Sequence, residues 1–226
     1  MRILAHRGDT STGRPENSWP AFRAAVDAAA DGIETDVRVA SDGSLVIHHD
    51  PLAPGGDPVA SLTPAGLAAA VGHDIPDPAA ALQAFPDILW NLEIKTPAAA
   101  DAVRALVAAH GTDRVVVSSF DHPAAFRATR GTRARTGLLM SHRPLHADRL
   151  LDACLPEDGP APCLVWNAEF ADRALLERCR ARGFTPWLYN LGVGDLERVR
   201  TWGVVAAAIV DGVGGAARAG GPGAIA

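Results

Sequence analysis

The sequence predicts an α/β protein folded as a (β/α)8 TIM barrel, with a short excursion between the second and third barrel strands. Two patterns predict this fold. Short apolar segments with strand character alternate with helical segments, which is typical of a parallel sheet with helical crossovers. Eight strands can be counted besides one hairpin arm, and eight is the number that closes a barrel. A chain of 226 residues is long enough for one domain of this size.

The first elements are a strand and a helix separated by a polar loop. Residues 1–5 form the apolar strand, and residues 19–30 show the apolar spacing of a helix. Asn17 or Ser18 can cap this helix, and Pro20 is tolerated in its first turn. The chain is therefore expected to reach its second strand through one helical crossover.

The second strand continues into a hairpin that ends at residue 50. An apolar, β-branched run contains Glu34 and Asp36, and a Ser-Asp-Gly turn at 41–43 separates it from a second apolar run at 45–47. Because successive strand residues point to opposite faces, the two acids share one face. Two carboxylates on one face are costly unless a positive group lies between them, so this segment predicts a bound cation.

The excursion covers residues 51–86 and is rich in proline and alanine. It contains two short helix candidates, at 63–71 and 77–85, and is too small to be a domain of its own. The third barrel strand follows at 88–94 and carries Glu93 near its carboxyl end.

The rest of the chain alternates regularly between helices and strands. Helices are predicted at residues 97–110, 122–129, 145–155, 171–182 and 195–202. Strands are predicted at residues 114–118, 135–140, 163–166, 184–189 and 204–210. We predict a single barrel domain over residues 1–212 and a Gly/Ala-rich tail over residues 213–226.

Composition and charge narrow the class of protein. The net charge of −5 and the isoelectric point of about 5.9 favour neither nucleic acid nor an anionic membrane as a partner. Three cysteines without a Cys-x-x-Cys pair do not predict a disulfide framework or a zinc site. The longest apolar run, 204–210, is too short to span a bilayer, and residues 1–5 enter a strand directly. We therefore expect no stable membrane association and a cytoplasmic location, while the oligomeric state stays open.

Seven polar side chains are predicted at the carboxyl ends of the first three barrel strands, where barrel active sites lie. They are His6, Arg7, Glu34, Asp36, His49, Glu93 and Lys95. Each alone has a plain structural explanation, such as a surface ion pair or a hydrogen-bonded histidine. Because sequential strands are usually neighbours, all seven are expected to converge on one rim, which favours a functional site.

The residue types of this set indicate the chemistry. The three acids offer only oxygen ligands, which suit one divalent cation, Mg²⁺ or Ca²⁺. The arginine and the lysine beside that metal add positive charge that a phosphate on the substrate can balance. The two histidines can accept and donate a proton near neutral pH. The set therefore predicts metal-assisted cleavage of a phosphoryl ester.

Ordered segments of this chain resemble the motifs of the glycerophosphodiester phosphodiesterase family. They are His6-Arg7-Gly8, Pro15-Glu16-Asn17-Ser18 with Ala21-Phe22, Ile33-Glu34-Thr35-Asp36-Val37, Asp42-Gly43, Val46-Ile47-His48-His49-Asp50 and Asn91-Leu92-Glu93-Ile94-Lys95. The ordered set is specific and covers residues 6–95, whereas residues 118–120 and 187–190 match more loosely.

The resemblance implies a (β/α)8 barrel that hydrolyses glycerophosphodiesters to glycerol 3-phosphate and an alcohol, with a divalent cation. At matching positions the three acids would hold the metal, His6 and His49 would be the acid–base pair, and Arg7 and Lys95 would bind phosphate. The family is thought to use the neighbouring glycerol hydroxyl of the substrate as nucleophile, through a cyclic phosphate. Trp187 is expected either to form an apolar wall for the glycerol end or to be a core residue.

Two departures from the family pattern and two alternative functions remain. The excursion is compact where the family often has a longer insertion, which leaves the glycerol and alcohol specificity open. The last strand ends in Val210-Asp211-Gly212 instead of a Thr-Asp-x-Pro-like turn, which we interpret as a structural variation.

A phospholipase D-like enzyme acting on lysophospholipid or sphingolipid would need a larger apolar surface at the barrel mouth. A non-catalytic phosphodiester-binding barrel would be expected to lack at least one of the seven groups.

Overall fold

The structure is a computed structural model that describes residues 1–156 and 159–215. Within these ranges eight parallel strands close into a barrel, so the predicted fold is confirmed. In chain order, with β3 as the hairpin arm, the strands are β1 (Arg2–His6), β2 (Gly32–Val39), β3 (Leu45–Ile47), β4 (Leu89–Ile94), β5 (Val115–Ser119), β6 (Arg135–Met140), β7 (Cys163–Asn167), β8 (Thr185–Leu191) and β9 (Ala207–Val210).

Helices connect the strands on the outside of the barrel. They are α1 (Trp19–Asp27), α2 (Pro64–Val71), α3 (Pro78–Ala84), α4 (Ala100–His110), α5 (His122–Thr129), α6 (Ala147–Ala153), α7 (Arg173–Ala181) and α8 (Leu196–Arg200). Short 3-10 turns lie at Val59–Ser61, Pro97–Ala99, Val193–Asp195 and Val213–Gly215. None of the helices in the described ranges has the length and hydropathy needed to cross a bilayer.

Pairing of β1 with both β2 and β9 closes the sheet, whose order is β1-β9-β8-β7-β6-β5-β4-β2. Along β2, the pairing with β1 ends at Glu34, and β3 then pairs antiparallel with the stretch from Val37 to Val39. The hairpin therefore folds back beside the end of β2. The His48 amide donates a 3.1 Å hydrogen bond to the Asp36 carbonyl. His48 and His49, at the end of the hairpin, therefore lie beside Glu34 and Asp36 of β2.

The core has an outer and an inner layer, as expected from the alternation along each strand. The outer layer lies between the strands and the helices, and Phe22 of α1 packs edge-on against Trp90 at 5.3 Å between ring centroids. The inner layer fills the barrel and includes Leu4, Leu89 and Trp187. Gly32 leaves room for this layer, because a Cβ there would lie 2.7 Å from Leu4 Cγ and 2.4 Å from the Leu89 carbonyl oxygen.

Several predicted elements are shorter than expected, and the shortening of two has a clear structural cause. Helix α1 ends at Asp27 and not at residue 30, because Ala29 adopts a left-handed φ of 57° that ends the helix. The last strand begins at Ala207 and not at residue 204, because its ladder with β8 starts only at the Trp187–Ala207 pair.

The predicted boundary at residue 212 remains a prediction. Val213 is fully buried in the outer core, so the packed chain continues one residue beyond that boundary. The remainder of the predicted tail, residues 216–226, lies outside the described residues.

Candidate active site

A cavity of about 250 Å³ opens at the carboxyl ends of the barrel strands. Two walls of different character line it. The charged wall comes from the first strands and consists of His6, Arg7, Glu34, His49, Glu93 and Lys95. The neutral wall comes from β5 to β9 and consists of Phe120, Leu139, Asn167, Tyr189, Asn190 and Ile209. Six of the seven predicted residues therefore line one cavity, and the seventh, Asp36, is fully buried beside them.

The register of β2 and β4 brings the three acids together. Asp36 lies opposite Glu93, and Glu34 lies opposite Asn91 on the neighbouring strand. One carboxylate oxygen from each of Glu34, Asp36 and Glu93 lies within 4.8 Å of the other two. The convergence of these acids, predicted from the alternation along two strands, is confirmed.

The three carboxyl groups are inequivalent, because their neighbours offset the effect of burial to different extents. Burial, together with the charge of Asp36, raises the pKa of Glu34 to about 8. Burial also raises the pKa of Glu93. Burial acts the same way on Asp36, but Lys95, Arg7 and a hydrogen bond from Asn17 outweigh it, so the pKa of Asp36 is lowered. The cluster therefore combines one carboxylate that its neighbouring cations stabilise with two carboxyl groups whose negative charge burial disfavours.

The residues present fit a divalent cation. Glu34 Oε1 and Asn91 Oδ1 are buried side-chain oxygens on this face of the barrel, and neither has a hydrogen-bond partner within the described ranges. Leaving such a group unpaired typically costs about 1–3 kcal/mol. Mg²⁺ and Ca²⁺ both bind oxygen ligands of these kinds, and a cation between the carboxylates would offset their mutual repulsion.

Asp36 is held by three partners. Its carboxylate lies 3.2 Å from Arg7 Nε and 3.1 Å from Lys95 Nζ, and it accepts a 2.9 Å hydrogen bond from Asn17 Nδ2. Asn17 in turn accepts a 2.7 Å hydrogen bond from the Thr35 hydroxyl. The sequence offered Asn17 or Ser18 as the cap of α1; Ser18 is the cap, and Asn17 positions a predicted metal ligand.

Arg7 and Lys95 extend from the acid cluster into the cavity. The Arg7 guanidinium also bonds both oxygens of Glu16, at 2.8 and 2.9 Å, and Lys95 Nζ lies 2.6 Å from Glu93 Oε1. Arg7 adopts a left-handed φ of 55°, uncommon for a residue with a side chain and typical of functional sites. Its amide donates to the Glu34 carbonyl at 2.9 Å, which stabilises that conformation.

Each candidate histidine has a carboxylate partner. His6 Nδ1 lies 2.6 Å from Asp211 Oδ1, and His6 Nε2 lies 3.8 Å from Glu34 Oε2. Burial alone lowers the pKa of His6, but the hydrogen bond to Asp211 and the charge of Glu34 outweigh it and raise the pKa. His49 Nδ1 lies 2.8 Å from Asp50 Oδ1. These contacts engage Nδ1 of each histidine, and Nε2 of each makes no hydrogen bond within the described ranges.

Three groups of cavity residues were missed by the sequence analysis. Asp211, interpreted there as a structural variation, contacts His6 directly. Phe120 and Tyr189 pack edge-on with 6.2 Å between their ring centroids, and Asn190 donates a 3.2 Å hydrogen bond to Asn167. Phe120, Tyr189 and Asn190 lie in segments 118–120 and 187–190, which match the family only loosely. The only sequence signal for Asn167 and Asp211 was their position at or just after the end of an apolar strand.

Trp187 lies one layer below the cavity. It is 3% exposed, packs in the inner core and does not belong to the lining described above. Alternation along β8 points Trp187 and Tyr189 the same way, but Tyr189 is two residues nearer the mouth. The structure therefore places Trp187 in the core, which is one of the two alternatives given above, and Tyr189 is the aromatic residue of β8 that lines the cavity.

Comparison with known sequences identifies the family. The model of the Glycerophosphoryl diester phosphodiesterase family matches residues 6–214. The probable glycerophosphodiester phosphodiesterase 2 of Mycobacterium tuberculosis is 34% identical over 161 residues, which span 61% of this chain and 58% of that protein. A glycerophosphodiester phosphodiesterase of Caldanaerobacter subterraneus is 52% identical over 48 residues, which span 21% of this chain and 19% of that protein. The aligned regions thus cover less than two thirds of these relatives.

Solved structures share the fold over nearly the whole chain. The glycerophosphodiester phosphodiesterase of Thermotoga maritima superposes with a TM-score of 0.81 at 24% identity, covering 95% of this chain and 96% of that one. An Oleispira antarctica phosphodiesterase in complex with the product sn-glycerol-3-phosphate gives 0.77 at 19% identity, covering 95% and 94%. With the family match over residues 6–214, these observations show that the chain belongs to the glycerophosphodiester phosphodiesterase family.

Proposed function

We propose that this chain is a divalent-metal-dependent phosphodiesterase that hydrolyses glycerophosphodiesters to glycerol 3-phosphate and an alcohol. One observation carries the proposal. Three buried carboxyl groups converge within 4.8 Å, in a cavity that also holds histidines with carboxylate partners. Glu34 Oε1 of this cluster and the nearby Asn91 Oδ1 lack hydrogen-bond partners within the described ranges. The product held by the Oleispira antarctica neighbour supports the same substrate class.

Glu34, Asp36 and Glu93 would hold one Mg²⁺ or Ca²⁺ ion. When bound, the cation would supply a Lewis acid that draws electron density from the phosphoryl oxygens. Arg7 and Lys95 line the same cavity, so they would bind the phosphate and orient it against the charged wall.

The histidines would move the protons. One of His6 and His49 takes the proton from the neighbouring glycerol hydroxyl as that oxygen attacks phosphorus, and the other donates a proton to the departing alcohol. Water then opens the resulting cyclic phosphate, with the two proton transfers reversed. Asp211 and Asp50 hold the rings so that Nε2 of each histidine stays available.

The proposal is tested by measuring release of glycerol 3-phosphate from glycerophosphocholine and glycerophosphoethanolamine. The protein is first chelated, and Mg²⁺ or Ca²⁺ is then restored. We expect product only after a cation is added, and the more effective cation identifies the metal. Absence of product with either cation, from protein shown to be folded, would contradict the proposal, and turnover of a lysophospholipid instead would favour the phospholipase D-like alternative.

A further inference from the structure

The neutral wall of the cavity contains a backbone irregularity at the end of β8. Between Leu188 and Leu191 this strand advances three residues, whereas β9 advances two, from Ala208 to Val210. The extra residue is a β-bulge, and Asn190 within it adopts a left-handed φ of 60°. Bulges and left-handed residues with side chains are typical of places where a side chain is re-aimed at an active site.

The bulge has a direct consequence for which side chains face the cavity. In a regular strand, Tyr189 and Asn190 would point to opposite faces, so only one of them would reach the barrel mouth. Here both line the cavity. Tyr189 pairs in register with Asn167 of β7, and Asn190 Nδ2 donates to Asn167 Oδ1 at 3.2 Å. The bulge thus assembles one tyrosine and two carboxamides into a single patch.

The patch combines an apolar surface with both kinds of hydrogen-bonding group. Phe120 packs edge-on against Tyr189 and provides the apolar part. Asn167 Oδ1 also accepts the Glu169 amide at 3.0 Å, which fixes its carboxamide. Asn190 Oδ1 makes no hydrogen bond to any other residue of the described ranges and is free to accept one. Since amides both donate and accept, the patch is complementary to a short carbon chain that carries a hydroxyl.

The patch lies close to the acid cluster. Asn167, Tyr189 and Asn190 line the same cavity of about 250 Å³ as Glu93 and Lys95. A phosphodiester bound at the charged wall would therefore place one of its two ester groups against the patch. The trimethylammonium group of a choline ester could not use the carboxamides, because it has no hydrogen-bond donor or acceptor.

We infer that Asn190, with Asn167, is a specificity-determining residue that recognises a hydroxyl on one ester group of the substrate. This inference rests on the proposed phosphodiesterase function. The hydroxyl belongs either to the glycerol end or to the leaving alcohol, and the two sources share the same chemistry. Loss of one hydrogen bond to such a group typically lowers the specificity constant roughly tenfold.

The test compares ratios of kcat/KM for pairs of substrates. The first pair is glycerophosphocholine and the phosphocholine ester of propane-1,2-diol, which keeps the neighbouring hydroxyl and lacks the terminal one; choline release is the readout. The second pair is glycerophosphoglycerol and glycerophosphocholine, with release of glycerol 3-phosphate as the readout. Folding defects act on both members of a pair, so they cancel in each ratio.

The main variant is Asn190→Gly, which removes the carboxamide and keeps a left-handed conformation that glycine adopts without strain. Asn167→Ala is the second variant, and Gln83→Ala, an exposed carboxamide of α3, is the matched control. We expect the wild type and the control to prefer the hydroxylated substrate roughly tenfold in one pair, and both variants to bring that ratio close to one.

The pair that responds identifies the source of the hydroxyl. A changed ratio in the first pair assigns the patch to glycerol, and a changed ratio in the second assigns it to the leaving alcohol. Wild-type ratios close to one in both pairs, or unchanged ratios in Asn190→Gly and Asn167→Ala, would overturn the inference. Wild-type protein that turns over none of these substrates would instead overturn the proposed function.

Discussion

The two walls of the cavity are built in different ways. In the charged wall, His6, Glu34 and Glu93 occupy regular strand positions, and the register of β1, β2 and β4 brings them together. The neutral wall uses a bulge in β8, whose extra residue turns Asn190 into the cavity. Side chains at regular strand positions can therefore be located from strand periodicity, whereas the pairing of Tyr189 and Asn190 in the neutral wall depends on a departure from it.

The largest effect is expected from the acids of the charged wall. Glu34→Gln or Glu93→Gln should abolish turnover, lowering kcat by at least roughly 10³-fold, because each would remove a carboxylate that we propose holds the metal. The chain should remain folded by circular dichroism, since glutamine keeps the shape of the side chain. Glu177→Gln, on the exposed face of α7, is the matched control and should leave activity unchanged. Near-normal activity of a folded Glu34 or Glu93 variant would remove that residue from the metal site.

The stability of the metal-free protein should fall as pH rises. The pKa of Glu34 is about 8 in the folded state and near 4.5 without burial, so the folded chain holds a proton that the unfolded chain releases. The free energy of unfolding should therefore decrease between about pH 4.5 and pH 8, by an amount on the order of a few kcal/mol. Urea unfolding in chelator at pH 5 and pH 8 measures this difference. The difference should shrink in Glu34→Gln, and an unchanged difference in that variant would show that the buried carboxyl is not its cause.

A smaller loss of activity is expected where the first and last strands of the barrel meet, at the contact between His6 and Asp211. Asp211→Asn should lower kcat roughly tenfold with little change in KM, because the hydrogen bond that orients the imidazole loses its charge. Asp152→Asn, which affects an exposed ion pair with Arg182, should behave as wild type. Full activity of Asp211→Asn would mean that burial alone orients His6.

The smallest effect is expected outside both walls, at the start of α7. Asp172 caps this helix by accepting the Leu175 amide at 2.7 Å, and it pairs with Arg143. Asp172→Ala should cost about 1 kcal/mol and lower Tm by about 2–4 °C, without changing the substrate ratios described above. Arg143 lowers the pKa of Asp172, so this contribution is present above pH 4 and is lost as the pH falls through the lowered pKa. A changed ratio of kcat/KM between the paired substrates in this variant would show that the conformation of the neutral wall depends on the stability of α7.

The charged wall could be predicted from the sequence much further than the neutral wall. The eight strands and the acid cluster were predictable, because alternation fixes which side chains share a face and because polar residues are conspicuous in apolar strands. Asn17 was missed as a partner of Asp36, because a residue before a helix is usually a cap. Tyr189 and Asn190 were missed as a pair, because a bulge is not visible in a pattern with a period of two. The contact of Asp211 with His6 was missed because it joins residues 205 positions apart in the chain.

The proposal that the charged wall binds a divalent cation, and that the neutral wall does not contribute to this binding, is tested most directly by measuring the binding of the cation. Calorimetric titration of the chelated protein with Mg²⁺ and Ca²⁺ requires no substrate and can be applied to the wild type, Glu93→Gln and Asn190→Gly. We expect one cation to bind the wild type and Asn190→Gly with equal affinity, and Glu93→Gln to bind it far more weakly or not at all. Equal binding by Glu93→Gln, or no binding of either cation by the folded wild type, would contradict the assignment of the charged wall as a metal site.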